Sequence, residues 1–494
     1  MKHIENNKNK KPSLTTRFFS FLKNIGLGIL NFFLKVGKKL TSGIMKFFNR
    51  FKDGSIGTKL SHLIMGAGSF YHKQFIKGTI YLTLQFGFFY LMIKAPKVNN
   101  TPIGFVSLKN LVTLGTEPGD LWGTIPTDNS MLMLLFGVIV IGVIGMFLAA
   151  YSSNIKSSYK ADLDKRSNKK PTSFKQDIAS LLDERFHVAL LTPAMIGILI
   201  FTILPTIFMI LIAFTNADKE HPSGQILIDW VGFQNFALIF ADTGEISRRF
   251  LPVLGWTFVW AFFATATNYI GGILLALLIN KKEVKMKKMW RTVFVITIAL
   301  PQFVTLLAMR SLLSNGGPIN QLFVTIGLMN PGDPFEILAF ASNPWIARIA
   351  IILINVWIGV PYTMLMTSGI LMNVPSELYE AAQIDGATKR QAFFNITIPY
   401  IIFVTTPYLI TSFIGNITSF NVIFLLTGGL PRAAGGAIAG ETDLLVTWLY
   451  KLTIEQNDYN LGSVIAIMTF IITASATLIS YRRSKSFKEE DAFQ

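Results

Sequence analysis

The side chains best placed to do chemistry in this chain are neutral hydrogen-bonding groups, not acids, bases or nucleophiles. Asn355, Gly359 and Tyr362 fall at i, i+4 and i+7, and Ser412, Asn416 and Ser419 repeat that spacing. On a helix each set lies along one face. Amides, hydroxyls and a phenol in such a row can hydrogen-bond a neutral, hydroxyl-rich solute. The same residue types also hold helices together inside a bilayer, so spacing leaves both roles open. Gln302 and Thr305 follow Pro301 and either extend a polar face or satisfy the backbone around the proline. A second group, Glu380, Ala381, Ala382, Asp385 and Gly386, lies in the polar stretch 375–399. Pro375 and Ser376 can start a short helix, the alanines admit another chain closely, and Gly386 can end or turn the helix. A short helix, a glycine break and a second helix across the membrane base make either a lever or a plain connector.

Other chemistries lack their residues. The chain has no cysteine, so disulfides and thiolate metal sites are excluded, and its five histidines are scattered without ligand spacing. No G-x-x-x-x-G-K-[S/T] phosphate loop occurs, which excludes ATP hydrolysis by this chain alone. The expectation is a protein that is not an enzyme and holds no cofactor of its own.

The elements that must position these residues are set by composition. Of 494 residues 51% are hydrophobic and 15% charged, and mean hydropathy is +0.47, too apolar to cover a soluble globule of this size. Eight segments reach bilayer-spanning length, at roughly 75–93, 131–151, 188–214, 253–279, 293–313, 347–371, 399–427 and 461–481. None contains Asp or Glu, which argues against an intramembrane ion relay. Arg310, late in the fifth, reads as a snorkelling residue. The net charge of +17 comes from lysines and arginines placed between apolar runs and not on one basic face, so it marks topology and not a nucleic-acid partner.

Lys156, Lys160, Lys165, Arg166, Lys169, Lys170 and Lys175 follow the second segment, Lys281, Lys282, Lys285, Lys287, Lys288 and Arg291 the fourth, and Arg482, Arg483, Lys485 and Lys488 the eighth. The links after the third, fifth and seventh carry Asp218, Glu220, Asp229, Asp242, Asp333, Glu336, Glu441, Asp443 and Asp458. The positive-inside rule then puts both termini in the cytoplasm. No cleavable signal peptide is apparent, and the first span is expected to target the chain. Ahead of it, Asn24, Asn31, Lys35, Lys38, Ser42, Lys46 and Asn49 define one helical face. Such a basic amphipathic helix lies in the leaflet interface, its lysines drawn to anionic lipid; Gly26, Gly28, Gly37 and Gly43 weaken it, leaving a disordered tail as the alternative.

The stretch Glu380-Ala381-Ala382, three residues, Gly386, nine residues, Ile396, one residue, Ile398-Pro399 resembles the EAA loop of ABC importer permeases, with Ile398 where leucine is usual. Further likeness, over roughly 253–481, is to the larger permease subunits of maltose/maltodextrin importers, carried by 355–362, 412–420 and 441–450. The resemblance implies an all-α polytopic permease with a MetI-like core. In that family the loop helix sits in a cleft of the ATPase subunit. Glu380 would pair with a basic residue there, Ala381 and Ala382 permit close packing with Asp385 beside them, and Gly386 supply the bend. It also implies sugar contacts at Asn355, Gly359, Tyr362, Ser412 and Asn416. This chain departs from the family at Gly415, where an aromatic residue is usual, and at Ser419, where asparagine is usual. The link at 215–252 is short where enterobacterial members carry a folded insertion.

The organisation expected is a basic amphipathic region at 1–73, two spans and a basic loop at 74–187, a third span and short outer link at 188–252, the permease core at 253–481 and a tail at 482–494. Partners implied are a second homologous permease, an ATPase dimer that binds ATP and Mg, an extracellular and lipid-anchored sugar-binding protein, membrane lipid, and maltose or maltodextrin as cargo. Gly428 to Gly440 could touch that binding protein or act as a flexible linker. Lactose, raffinose-type or glycerol-phosphate cargo stays open within the family. From other classes, an ion- or proton-coupled carrier and a membrane-inserting assembly factor stay open as well.

Overall fold

Proline and the limits of the apolar runs decide where the helices of this chain start, bend and stop. The computed structural model describes residues from Asn31 to Arg483 except 32–33, 36, 40, 118–127, 223, 242–243, 282, 315 and 331–342. Asn24, Gly26, Gly28, Asp242, Lys282, Asp333, Glu336, Lys485 and Lys488 lie outside the described residues. Among the described residues seven helices are long and apolar enough to cross a bilayer: Phe75–Lys94, Ser130–Arg166, Phe186–Ile212, Glu245–Asn280, Pro344–Met372, Lys389–Ile417 and Tyr459–Tyr481. In chain order they are spans one to four and six to eight.

The fifth expected span is not one straight helix. It is the pair Lys287–Ala299 and Gln302–Leu312, bent by 90°. Leu300 takes extended backbone because it precedes Pro301, whose ring disfavours the helical region for its neighbour. The seventh span also differs, ending at Ile417 and not near residue 427. Thr418 turns its hydroxyl back onto the Ile414 and Gly415 carbonyls at 3.4 and 3.3 Å, competing with the backbone ladder, and a new helix, Phe420–Leu426, follows Ser419. The π-turn Phe393–Thr397 precedes Pro399 and widens the helix where the proline has no N–H to give.

The described residues form two compact units, one within 1–112 and 132–205 and the other within 113–131 and 206–494. In the first, the short helices Ile56–Ser61 and Ala67–Tyr71 pack on the polar end of span two. Asp162 there is 2% exposed and accepts from Ser55 N at 2.8 Å and Ser55 Oγ at 2.5 Å, and also from Thr58 Oγ1; His72 Nε2 lies 2.5 Å away. Such a set offsets the desolvation of a buried carboxylate. Asn154 Oδ1 accepts from Gly66 N at 2.9 Å, and its amide donates to the Ser61 carbonyl at 3.1 Å. Lys77, at the base of span one, pairs with Asp177.

The second unit is built on spans four and six. Trp256, Trp260, Ala264, Leu306, Ile351, Ile354 and Ile423 form one continuous core between them, the bent pair and the 420–426 helix. Close approach depends on Gly359, because a Cβ there would stand 2.1 Å from the Asn268 amide. Toward one end, Arg249 of span four and Arg348 of span six both reach Glu441 at 3.0 Å. Arg348 also lies over the Trp256 and Trp345 rings, 4.7 and 5.0 Å from their centroids.

Gly359→Ala should therefore cost roughly 2 kcal/mol through overpacking. That cost should largely vanish in an Asn268→Ala background, read as a double-mutant cycle on unfolding of the purified protein. Simple additivity of the two changes would place the Asn268 side chain elsewhere.

Candidate functional site

Span six presents Asn355, Gly359 and Tyr362 as spaced, but in three different environments. Asn355 is 5% exposed and its Nδ2 has no hydrogen-bond partner. Gly359 is covered by the Asn268 side chain, whose Oδ1 is likewise buried and unpartnered. A buried amide group left without a partner costs free energy that a bound hydrogen-bonding solute would recover. Tyr362 is 53% exposed, with its ring 5.9 Å from that of Tyr408 on span seven. The Tyr408 hydroxyl lies 3.2 Å from Thr363 Oγ1.

On span seven, Ser412 is half-buried and Asn416 is held by span four. The Asn416 side-chain amide donates to Thr265 Oγ1 at 2.9 Å, while the Asn416 backbone carbonyl accepts from Trp260 Nε1 at 3.1 Å. Ser419 lies beyond the helix end, so it does not share the helical register of Ser412 and Asn416. Gln302 is exposed and Thr305 half-buried on the short helix after the bend, which packs through Leu306 into the core. The polar group is thus built by three helices. Thr265, Asn268 and Tyr269 of span four fall at i, i+3 and i+4, a stripe of the same kind as the two singled out from sequence. Tyr269 completes it with a 2.6 Å contact between its hydroxyl and Thr405 Oγ1.

The 375–399 stretch folds as a helix, a turn and the base of span seven. Ser376–Ile384 is the helix, and Gly386 at φ +74° makes the turn in the left-handed region that a side chain resists. Thr388 then starts span seven with a capping box to Gln391. No separate second helix lies across the membrane base; the expected one is the first part of span seven itself, because Lys389–Ile417 is continuous. Glu380, Ala381, Asp385 and Gly386 are exposed and Ala382 is half-buried. Leu378 and Ile384 are 44% and 86% exposed, an apolar surface beside the charges. Tyr379 faces the other way, its hydroxyl 2.8 Å from Thr397 Oγ1, and so ties the loop helix to span seven. Composition gives no hint of that bond, since the partners are 18 residues apart across a turn.

The short 213–241 link is itself folded. Asn235 donates to the Ala213 and Thr215 carbonyls at 2.9 and 2.7 Å, and Asn460 N donates to the Ala217 carbonyl at 2.9 Å. A polar hollow of about 370 Å³ opens there, lined by Asn216, Asp218, Glu220, Asp458 and Asn460 among others. The glycine-rich 428–440 stretch is pinned from below by Asp443, which accepts from Gly440 N at 2.7 Å and pairs with Lys451 at 2.6 Å. Burial pushes the Asp443 carboxyl up, and the Lys451 ammonium opposes that shift. Among the described residues no cluster of His, Cys, Asp or Glu could hold a metal ion.

Residues 268–485 match the family described as binding-protein-dependent transport system inner membrane component. The galactooligosaccharides transport system permease protein GanP of Bacillus subtilis is 36% identical over 440 residues, covering 87% of this chain and 98% of that one. The maltodextrin transport system permease protein MalC of Streptococcus pneumoniae is 32% identical over 455 residues, covering 90% of this chain and all of that one (100%). A bacterial ABC transporter involved in alginate import shares the fold, with TM-score 0.50 and 22% identity over 62% of this chain and 97% of that one. The chain belongs to the inner-membrane components of binding-protein-dependent transport systems, as one of their permease proteins.

Proposed function

We propose that this permease passes oligosaccharides of the maltodextrin class through the bilayer, driven by ATP that a separate ATPase dimer binds and hydrolyses with Mg. The observation that carries the reading is the loop. Its helix Ser376–Ile384 exposes Glu380, Ala381 and Ile384 on one side and is bonded to span seven through Tyr379 and Thr397 on the other. A partner that grips the exposed side moves the base of span seven directly. Gly386 is the joint, and a non-glycine residue at its φ would be strained by roughly 1–2 kcal/mol.

The cargo would meet the polar faces of spans four, six and seven. Asn355 Nδ2 and Asn268 Oδ1 offer a donor and an acceptor, and Tyr362 and Tyr408 offer ring faces against which a pyranose can lie. Ser412, Asn416 and Ser419 flank that group, with Gln302 and Thr305 nearer the bend. Basic loops put both termini in the cytoplasm. The hollow at Asp218 and Asp458 and the pinned 428–440 stretch then face outward, where a sugar-loaded, lipid-anchored binding protein would dock, with a second homologous permease completing the path. Galacto-oligosaccharide is the second reading for the cargo, favoured by the 36% identity to GanP against 32% to MalC.

Cells carrying this chain with its ATPase and binding protein should take up labelled maltotriose, and cells lacking the ATPase should not. Competition by unlabelled galacto-oligosaccharide but not by maltodextrin would move the cargo to the second reading, and uptake without the ATPase would overturn the coupling. Glu380→Lys should abolish uptake, while Gly386→Val should leave ATP hydrolysis running with uptake lost. Tyr379→Phe removes a single hydroxyl and should lower sugar moved per ATP hydrolysed severalfold at an unchanged amount of protein in the membrane. An unaltered ratio would mean the Tyr379–Thr397 bond transmits nothing.

A further inference from the structure

The first unit carries a groove that the transport reading does not use. Residues 41–53 form a helix beside span two, anchored by Phe47 and Phe51, whose rings lie 4.8 and 5.2 Å from that of His62. Between this helix and span two opens a groove of about 1100 Å³. Its charged lining is Lys39, Lys46, Arg50 and Lys156, with no acidic side chain among the lining residues. Its apolar lining includes Ile44, Phe48, Leu148 and Ile155. Ile44, Phe48 and Leu148 are 50%, 62% and 56% exposed, so the described residues leave this apolar surface uncovered.

On span two the exposed lining changes along the helix axis. Leu148 belongs to the apolar part of span two, and Lys156 lies eight residues further toward its charged end, about 12 Å along the helix axis. Apolar surface at bilayer depth with cations one headgroup length away is the complement of an acyl chain joined to an anionic phosphate. Each basic side chain at such an interface adds on the order of 1 kcal/mol toward anionic lipid, and a zwitterionic headgroup gains less because its amine opposes the same lysines. The chain ahead of the helix does not suit the groove by charge. Lys2, Lys8, Lys10, Lys11, Arg17 and Lys23 give it the same sign as the groove, against one acid, Glu5.

We propose that this groove is a binding site for one anionic phospholipid, its acyl chains against Ile44, Phe48 and Leu148 and its phosphate among Lys39, Lys46, Arg50 and Lys156. The site turns a basic amphipathic segment from a general surface contact into a docking point with defined lipid chemistry.

The test uses the full-length chain with its co-purifying subunits, loaded with phosphatidylglycerol and moved into phosphatidylcholine nanodiscs, with retained lipid read by native mass spectrometry. Wild type should retain phosphatidylglycerol. Lys46→Glu combined with Arg50→Glu should lower retention by roughly tenfold or more. Ser152→Trp, which fills the groove without changing charge, should lower it as well. Lys52→Glu, on the same helix but outside the lining, should leave it nearly unchanged. Equal loss in Lys52→Glu would reduce the effect to general surface attraction and overturn the site. Equal retention of phosphatidylcholine by wild type, or a gain in lipid on deleting residues 1–30, would overturn it too, the latter by making that segment the occupant.

Discussion

Two arginines from different helices converge on a single carboxylate, and the geometry of the second unit follows from that convergence. Glu441 receives Arg249 of span four and Arg348 of span six, each side chain only 15–16% exposed. Removing Glu441 would leave two cations facing each other with little water to screen them, which is the costly way to break such a set. Trp256 adds a lock: its ring lies under Arg348 and its Nε1 donates to the Thr442 carbonyl at 3.1 Å. The ends of spans four and six are thereby fixed to the segment leading into span eight. With those ends fixed, Asn268 falls opposite Gly359 and Thr265 opposite Asn416 further along.

Buried packing at one end contrasts with an exposed loop helix at the other. Tyr379 bonds the loop helix Ser376–Ile384 to the span it serves, and a glycine turn lies beyond it. The exposed face of the helix sets Glu377, Glu380 and Asp385 beside the apolar Leu378 and Ile384. Force applied there enters span seven without crossing a second loop, because the base of the span is the continuation of the turn. The π-turn before Pro399 is the one place in that path where the backbone ladder is widened, and such turns are where helices bend.

Much of this was legible in the residues. Apolar length located the spans, and the spacing from Glu380 to Pro399 located the loop, because both are local patterns. What stayed hidden was long-range or directional. Arg249 and Glu441 are 192 residues apart, and no periodicity links them. Hydropathy measures how apolar a stretch is but not its direction, so the 90° bend at Pro301 escaped a window that saw one continuous span. Ser419 matched a helical spacing that Thr418 interrupts. The third polar stripe, on span four, was readable by the same rule that found the other two. Asp162 looks like an ordinary charge at the end of an apolar run until Ser55, Thr58 and His72 close around it.

The polar faces of spans six and seven have a further property. From Ala350 to Met372 and from Ile398 to Ile417 there is no Asp, Glu, Lys, Arg or His. A membrane potential does work of about 2.3 kcal/mol per elementary charge for each 100 mV crossed, and these faces give it no charge to act on. A neutral solute moving along them crosses without electrical work in either direction.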